Sequence, residues 1–175
     1  MATWNIDPSH SAVQFSVRHL MITNVRGEFT GVTGQMTYDP AAPAATTVQA
    51  TIDAKTVNSR EAKRDEHLRS ADFFDVEKHP TITFASTRVT TKGAGQLEIV
   101  GDLTIHGVTK PVTLAVEGPT NEEKDPWGNT RIGASGTTTI DRRDFGLTWN
   151  SAIESGGVLV GNEVKLTIDV SLIRA

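Results

Sequence analysis

The 175-residue sequence predicts an all-β fold, in which antiparallel strands close into an up-and-down barrel and one short helix lies on the surface. Three observations carry this expectation. Over residues 163–172 apolar and polar side chains alternate strictly. Val164, Leu166, Ile168, Val170 and Leu172 fall on one face, and Lys165, Thr167, Asp169 and Ser171 on the other. A period of two marks a strand with one buried and one wet face. The same alternation recurs along the chain, giving about eight strands joined mostly by short turns, which suits an up-and-down barrel better than a Greek key. Only one segment favours helix, so helices cannot cover the apolar face, and the sheet must stack on another or close on itself.

The elements follow in order. Asp7-Pro8-Ser9 reads as a turn that launches the first strand. Residues 11–19 alternate, with Val13, Phe15 and Val17 on one face and His19 continuing it. Residues 24–27 read as a bend, and residues 28–38 as extended chain whose glycines suggest bulges or curvature. Residues 47–57 form the next strand, with Val48, Ala50, Ile52 and Ala54 on one side. Residues 60–70 are charged and free of Gly, Pro and β-branched side chains, which favours helix. Asn58 and Glu61 resemble a capping box there, and Asp65 and Arg69 are spaced to pair on the helix surface. Residues 81–89, 96–106 and 111–117 form an antiparallel meander. Residues 121–129 are a polar loop with Trp127 near its tip, and residues 130–140 are a Gly- and Thr-rich strand that curves sharply. Residues 141–150 are irregular, and Gly156-Gly157 reads as a hinge or turn before the final strand. With no repeat and no linker, residues 1–175 read as one domain.

Composition excludes several classes of function. The net charge of −4, without a basic cluster, gives no footprint for nucleic acid. The absence of Cys removes thiol catalysis, thiolate metal sites and disulfides. The first residues lack a basic region followed by an apolar stretch, so a cytoplasmic location is expected. The five histidines show no HExxH spacing and sit in unlike local contexts, so neither a metal nor a cofactor is expected. Ser9-His10-Ser11 is a local run rather than a triad, and Gly133-Ala134-Ser135-Gly136 lacks the nucleophile-elbow spacing. The carboxylates of Asp65-Glu66 and Glu122-Glu123 read as solvated surface charge. The catalytic set is therefore expected to be empty.

Several motifs resemble those of a known family. They include Asp7-Pro8-Ser9-His10-Ser11, Gly27-Glu28-Phe29, Asp72-Phe73-Phe74-Asp75, His79-Pro80-Thr81-Ile82-Thr83-Phe84, Gly101-Asp102-Leu103-Thr104-Ile105-His106-Gly107, Asp125-Pro126-Trp127-Gly128-Asn129, Arg143-Asp144-Phe145-Gly146-Leu147 and Gly161-Asn162-Glu163-Val164. In this order they resemble the YceI-like family of lipocalin-like, polyisoprenoid-binding proteins. The resemblance implies an extended lipocalin-like barrel with a helix near one end and a long apolar cavity for an isoprenoid chain, as in a polyprenyl phosphate or prenyl quinone.

Alternation then assigns candidate residues. Phe15, Val17, Ile52, Phe84, Ile99, Leu103, Ile105, Leu114, Leu166 and Ile168 are expected to face the cavity. His19, Phe73, Phe74, Trp127, Arg142, Phe145 and Trp149 are expected at its mouth or around a headgroup. Large apolar side chains in connections are costly unless they cover something, and a basic Arg142 beside them could meet a phosphate. Arg143 is expected to hold Asp144 or another carboxylate. The expected function is non-enzymatic binding, carriage or sequestration of an isoprenoid lipid. The alternatives are a scavenger of other hydrophobic small molecules, an enzyme acting on a lipid or quinone through His19 with Arg18 or Asp144, and a solid barrel that self-associates. A homodimer and transient membrane contact are compatible with this reading.

Overall fold

The alternating segments pair into a single antiparallel sheet that closes on itself. The computed structural model describes residues 1–151 and 158–175. Its strands are β1 (Ala2–Ile6), β2 (Ala12–His19), β3 (Thr23–Phe29), β4 (Val32–Tyr38), β5 (Thr47–Asp53), β6 (Thr81–Gly93), β7 (Gln96–Ile105), β8 (Val108–Glu117), β9 (Glu123–Lys124), β10 (Thr130–Asp141) and β11 (Val160–Arg174). The helix α1 spans Ala62–Arg69. The Gly156-Gly157 hinge expected from sequence lies outside the described residues.

β11 closes the ring. One edge pairs with β10 over the whole span from Asp141↔Glu163 to Arg131↔Ile173. The other edge pairs with β2 up to Ala12↔Asp169 and then with β1 from Ile6↔Leu172 onward. β1 and β2 are thus one barrel strand broken by a 3-10 turn at Pro8–His10. β3 pairs with β2 and β4 with β1, so β3 and β4 are likewise one strand broken at Thr30-Gly31. Counted this way the barrel has eight staves in sequence order, and β9 is a two-residue appendage on β10.

The break between β1 and β2 has a local cause. Asp7 accepts a hydrogen bond from the Ser9 amide, and Pro8 brings no amide of its own. The lost ladder contact is replaced by the buried Ser11, whose hydroxyl accepts from the Ser171 amide at 3.0 Å. Two glycines meet close neighbours. A methyl group at Gly27 would overlap the Phe15 ring opposite it on β2, and one at Gly101 would overlap the Phe84 ring on β6. Only a residue without a side chain lets these aromatic rings lie against the facing strand.

Five expectations need correction. The turn at Asp7-Pro8-Ser9 does not launch the first strand but separates β1 from β2. Residues 24–27 are not a bend but the body of β3, because the Gly27 position is needed opposite Phe15. The strand begun at Thr47 stops at Asp53, whose carboxylate accepts from the Lys55 amide and starts a 3-10 turn at Ala54–Thr56. The helix is capped by Glu61, which accepts from the Arg64 amide, while Asn58 accepts from the Arg60 amide. Asp65 and Arg69 do not pair. Asp65 is buried and accepts from both the amide and hydroxyl of Ser59, and Arg69 donates to the carbonyls of Lys55 and Val57. Charged α1 is therefore tied to the barrel largely by directed polar bonds, with Leu68 and the following Phe74 as its apolar anchors.

Candidate functional site

The inward faces of the strands do not meet in the middle. They enclose an elongated cavity of about 220 Å³. Phe15, Val17, Ile52, Phe84, Ile99, Leu103, Ile105, Leu114, Leu166 and Ile168 all line it. The lining also includes residues not singled out from sequence, among them Ile6, Met36, Ile82, Val112 and Pro119. The hollow has a compositional origin on β10. Its inward series runs Ile132, Ala134, Gly136, Thr138, Ile140, so small side chains stand where β7 and β11 carry Leu and Ile. Among the described residues, no charged side chain and no histidine lines the cavity, and the surface it presents is apolar even where Ser135 and Thr138 border it. Such a space can grip a guest by shape and desolvation. It offers no acid–base pair and no metal ligand.

The residues expected at the mouth separate into distinct places. Phe73 and Phe74 line the cavity from the segment after α1. Phe74 packs edge-on against Phe29 at 5.4 Å between ring centroids, and Phe29 packs on Phe15 at 5.7 Å. Trp149 does not reach the lining. It backs Phe73 at 5.4 Å and meets His67 at 4.7 Å, so His67 belongs to an aromatic cluster that the sequence did not reveal. His19 ends β2, partly buried and paired with Val160, just beyond the lining.

Three assignments to the mouth are corrected. Phe145 is 1% exposed and packs into the core at the barrel end, because its 3-10 turn (Arg142–Phe145) folds it inward. Trp127 is 80% exposed on the loop before β10, at the end of the barrel away from α1. Arg142 is 3% exposed and faces no solvent or headgroup. Its guanidinium donates to the carbonyls of Leu147 at 2.6 Å, Gly161 at 2.8 Å, Trp149 at 2.9 Å and, more weakly, Val160 at 3.4 Å. Burial pulls its pKa below the ordinary guanidinium value. Its planar fork suits this task of ordering irregular backbone. Arg143 holds Asp141 rather than Asp144, at 2.7 Å, and keeps that carboxyl down at about 2.

The end of the barrel opposite α1 is braced by charge. Arg131 donates to Asp125 at 2.7 Å and to Asp7 at 2.8 Å, joining the loop before β10 to the break between β1 and β2. Arg131 holds Asp125 down at about 2 and Asp7 well below the usual carboxylate range. A carboxyl whose pKa is lowered by folding stabilises the fold above its unfolded pKa and loses that contribution as pH falls through the folded value. Thermal stability should therefore decline between about pH 4 and pH 2. Melting curves of Arg131→Gln should start lower at neutral pH and show a flatter decline over that window. An unchanged slope would refute the role given to this network.

Comparison with known proteins agrees with this architecture. The model of the YceI-like domain matches residues 4–172. The chain belongs to the YceI-like family. A UPF0312 protein of Vibrio cholerae is 45% identical over 139 residues, covering 79% of this chain and 73% of the relative. Among solved structures, BcnA of Burkholderia cenocepacia superposes with a TM-score of 0.80 at 22% identity, covering 95% of this chain and 98% of BcnA. A polyisoprenoid-binding domain of Saccharophagus degradans, implicated in plant cell wall breakdown, superposes with a TM-score of 0.71 at 16% identity over the full length of both chains. At such identities these two structures speak to fold alone, and the fold is the YceI-like barrel.

The YceI-like barrel also draws together residues that look unrelated in sequence. His10 is bound to Asp7 and Ser9, and His67 to Asp72. His79 and His106 come from different segments and meet edge-on with ring centroids 4.8 Å apart, next to Asp75. The unlike contexts of the histidines along the chain conceal this convergence. The spacing of Asp75 and His79, four apart, was a signal available in the sequence.

Proposed function

We propose that this protein binds a long apolar ligand of the isoprenoid class in its barrel cavity and carries or sequesters it without chemical change. The observation that carries this reading is the lining, which is apolar throughout its length and devoid of charge among the described residues. The fold it shares with a polyisoprenoid-binding domain supports the ligand class. A space of 220 Å³ holds roughly 15 to 20 water-sized atoms, taking about 10–15 Å³ for each. That suits a few isoprene units inside the barrel. At about 0.8 kcal/mol per buried CH₂, such a segment gains on the order of 12 kcal/mol before the costs of ordering and association. Shape and greasiness then suffice for tight binding. Arg18, His19 and Asp144, the groups the sequence offers for an enzyme of this kind, do not line the cavity, which favours carriage over turnover.

Organic extraction of the purified protein followed by mass spectrometry should recover a prenyl lipid. Stripped protein should take up an added prenyl quinone in a one-to-one ratio and prefer it to unrelated hydrophobes of similar size. Equal uptake of all such compounds would replace the isoprenoid reading by a general scavenger. No recovered lipid together with no uptake would refute both.

A further inference from the structure

We propose that Asp75, His79 and His106 form a binding site for a divalent transition-metal ion of the zinc type, which clips the segment after α1 to the β7–β8 turn. Each of the three offers one ligand atom, and these atoms lie within 4.8 Å of one another. All three residues are half-buried. Imidazole and carboxylate together suit zinc and its neighbours among the divalent metals, and three protein ligands leave a further position for water. Bonds of about 2.0–2.2 Å to one ion would draw the three atoms closer than they now stand, a change within reach of side-chain rotation.

Local structure puts the ligands there. The amides of Lys78 and His79 both donate to the Asp75 carbonyl, at 3.1 and 2.8 Å. This single helical turn brings side chains four apart to one side. His106 sits in the tight turn between β7 and β8 with a φ of 55°, and Asp75 has a φ of 48°. Both are left-handed positions, uncommon for residues other than glycine. Glycine backbones seat the two imidazoles. A methyl group at Gly107 would come within 2.9 Å of the His79 ring, and one at Gly146 within 3.3 Å of His106 Nδ1. Unlike His10 and His67, which rest on carboxylates, none of the three side chains has a hydrogen-bond or ion-pair partner among the described residues. A metal ion would satisfy all three at once.

The position gives the ion a consequence. Phe73 and Phe74, which line the cavity, directly precede Asp75. An ion held by Asp75, His79 and His106 would pin this aromatic segment to the barrel rim. The site does not depend on which ligand occupies the cavity.

Untagged full-length protein, stripped by chelation, should bind one equivalent of Zn²⁺, and Co²⁺ in its place should develop the visible absorption of a site with nitrogen and oxygen ligands. Of the five histidines, only His79 and His106 should change their imidazole nitrogen resonances on Zn²⁺ addition. Asp75→Asn, His79→Gln and His106→Asn should each weaken binding by about tenfold or more, and Asn tolerates the left-handed backbone at two of these positions. His67→Gln and His10→Gln should bind as the parent does. The resonances are read on the unaltered protein, so the test survives a variant that fails to fold. The proposal is overturned if the parent binds no Zn²⁺ stoichiometrically, if His10, His19 or His67 responds instead, or if folded His79→Gln and His106→Asn keep full affinity.

Discussion

Ala134→Phe is expected to remain folded and to lose its apolar ligand. Ala134 lines the cavity from β10 and packs with Val48, Phe84 and Leu114 against the buried group of Val89, Leu97, Ile99 and Val116. In a close-packed interior, added volume forces strain of about 1–3 kcal/mol. A phenyl ring entering an existing hollow should cost less than about 1 kcal/mol, or stabilise the fold slightly. The ring would occupy space meant for four or five ligand carbons. At about 0.8 kcal/mol each, their exclusion amounts to roughly 3–4 kcal/mol, or about a 100- to 1000-fold loss of affinity. Thr137→Phe, on the exposed face of the same strand, should leave binding unchanged. Titration with a prenyl quinone and thermal denaturation of both variants decide the matter. A destabilised Ala134→Phe that still takes up ligand would mean that the barrel centre is packed at this level and that the guest lies elsewhere.

Arg142→Met should lower stability by about 3–5 kcal/mol, a large effect for one residue. The side chain is inside the protein, and its loss removes the donor from carbonyl oxygens on Leu147, Trp149 and Gly161, while Val160 keeps its bond from the Asn150 side-chain amide. Each buried acceptor left without a donor costs about 1–3 kcal/mol, and water reaching some of them reduces the total. Arg142→Lys should recover only part of the loss, since one ammonium cannot reproduce a planar fork. Arg143→Met, at the neighbouring exposed position, should change stability little, because surface ion pairs contribute weakly. Denaturant unfolding of the three variants gives the comparison. Equal effects at Arg142 and Arg143 would contradict the assignment of Arg142 as the organiser of this end.

Much of the barrel is legible in the sequence because its signal is local. Alternation along β5, β7, β8 and β11 assigns the inward face one residue at a time, and the cavity-facing set follows from parity alone. The breaks are less legible. β1 carries only Trp4 and Ile6 as deeply buried side chains, too short a pattern to stand out. The division of β3 from β4 depends on how two strands share one edge of β11, which no local pattern encodes. The mouth is less legible still. An aromatic residue in a connection must be covered, but sequence does not say whether it covers the cavity, as Phe74 does, or fills the barrel end, as Phe145 does. Arg142 and Arg143 look alike in the chain, yet the turn they start buries one and exposes the other. The hollow itself had a local cue in the small residues Ala134 and Gly136, which read as curvature when the strand is considered alone.

The two-edged pairing of β11 fixes when an interior comes into being. Until residues 160–174 have left the ribosome, the nascent chain can offer only an open, curling sheet whose greasy side stays wet and whose borders stay unpaired. Shielding of the lumen is therefore a late and cooperative event in biogenesis, and the last stave to be synthesised creates the container that all the others had merely outlined.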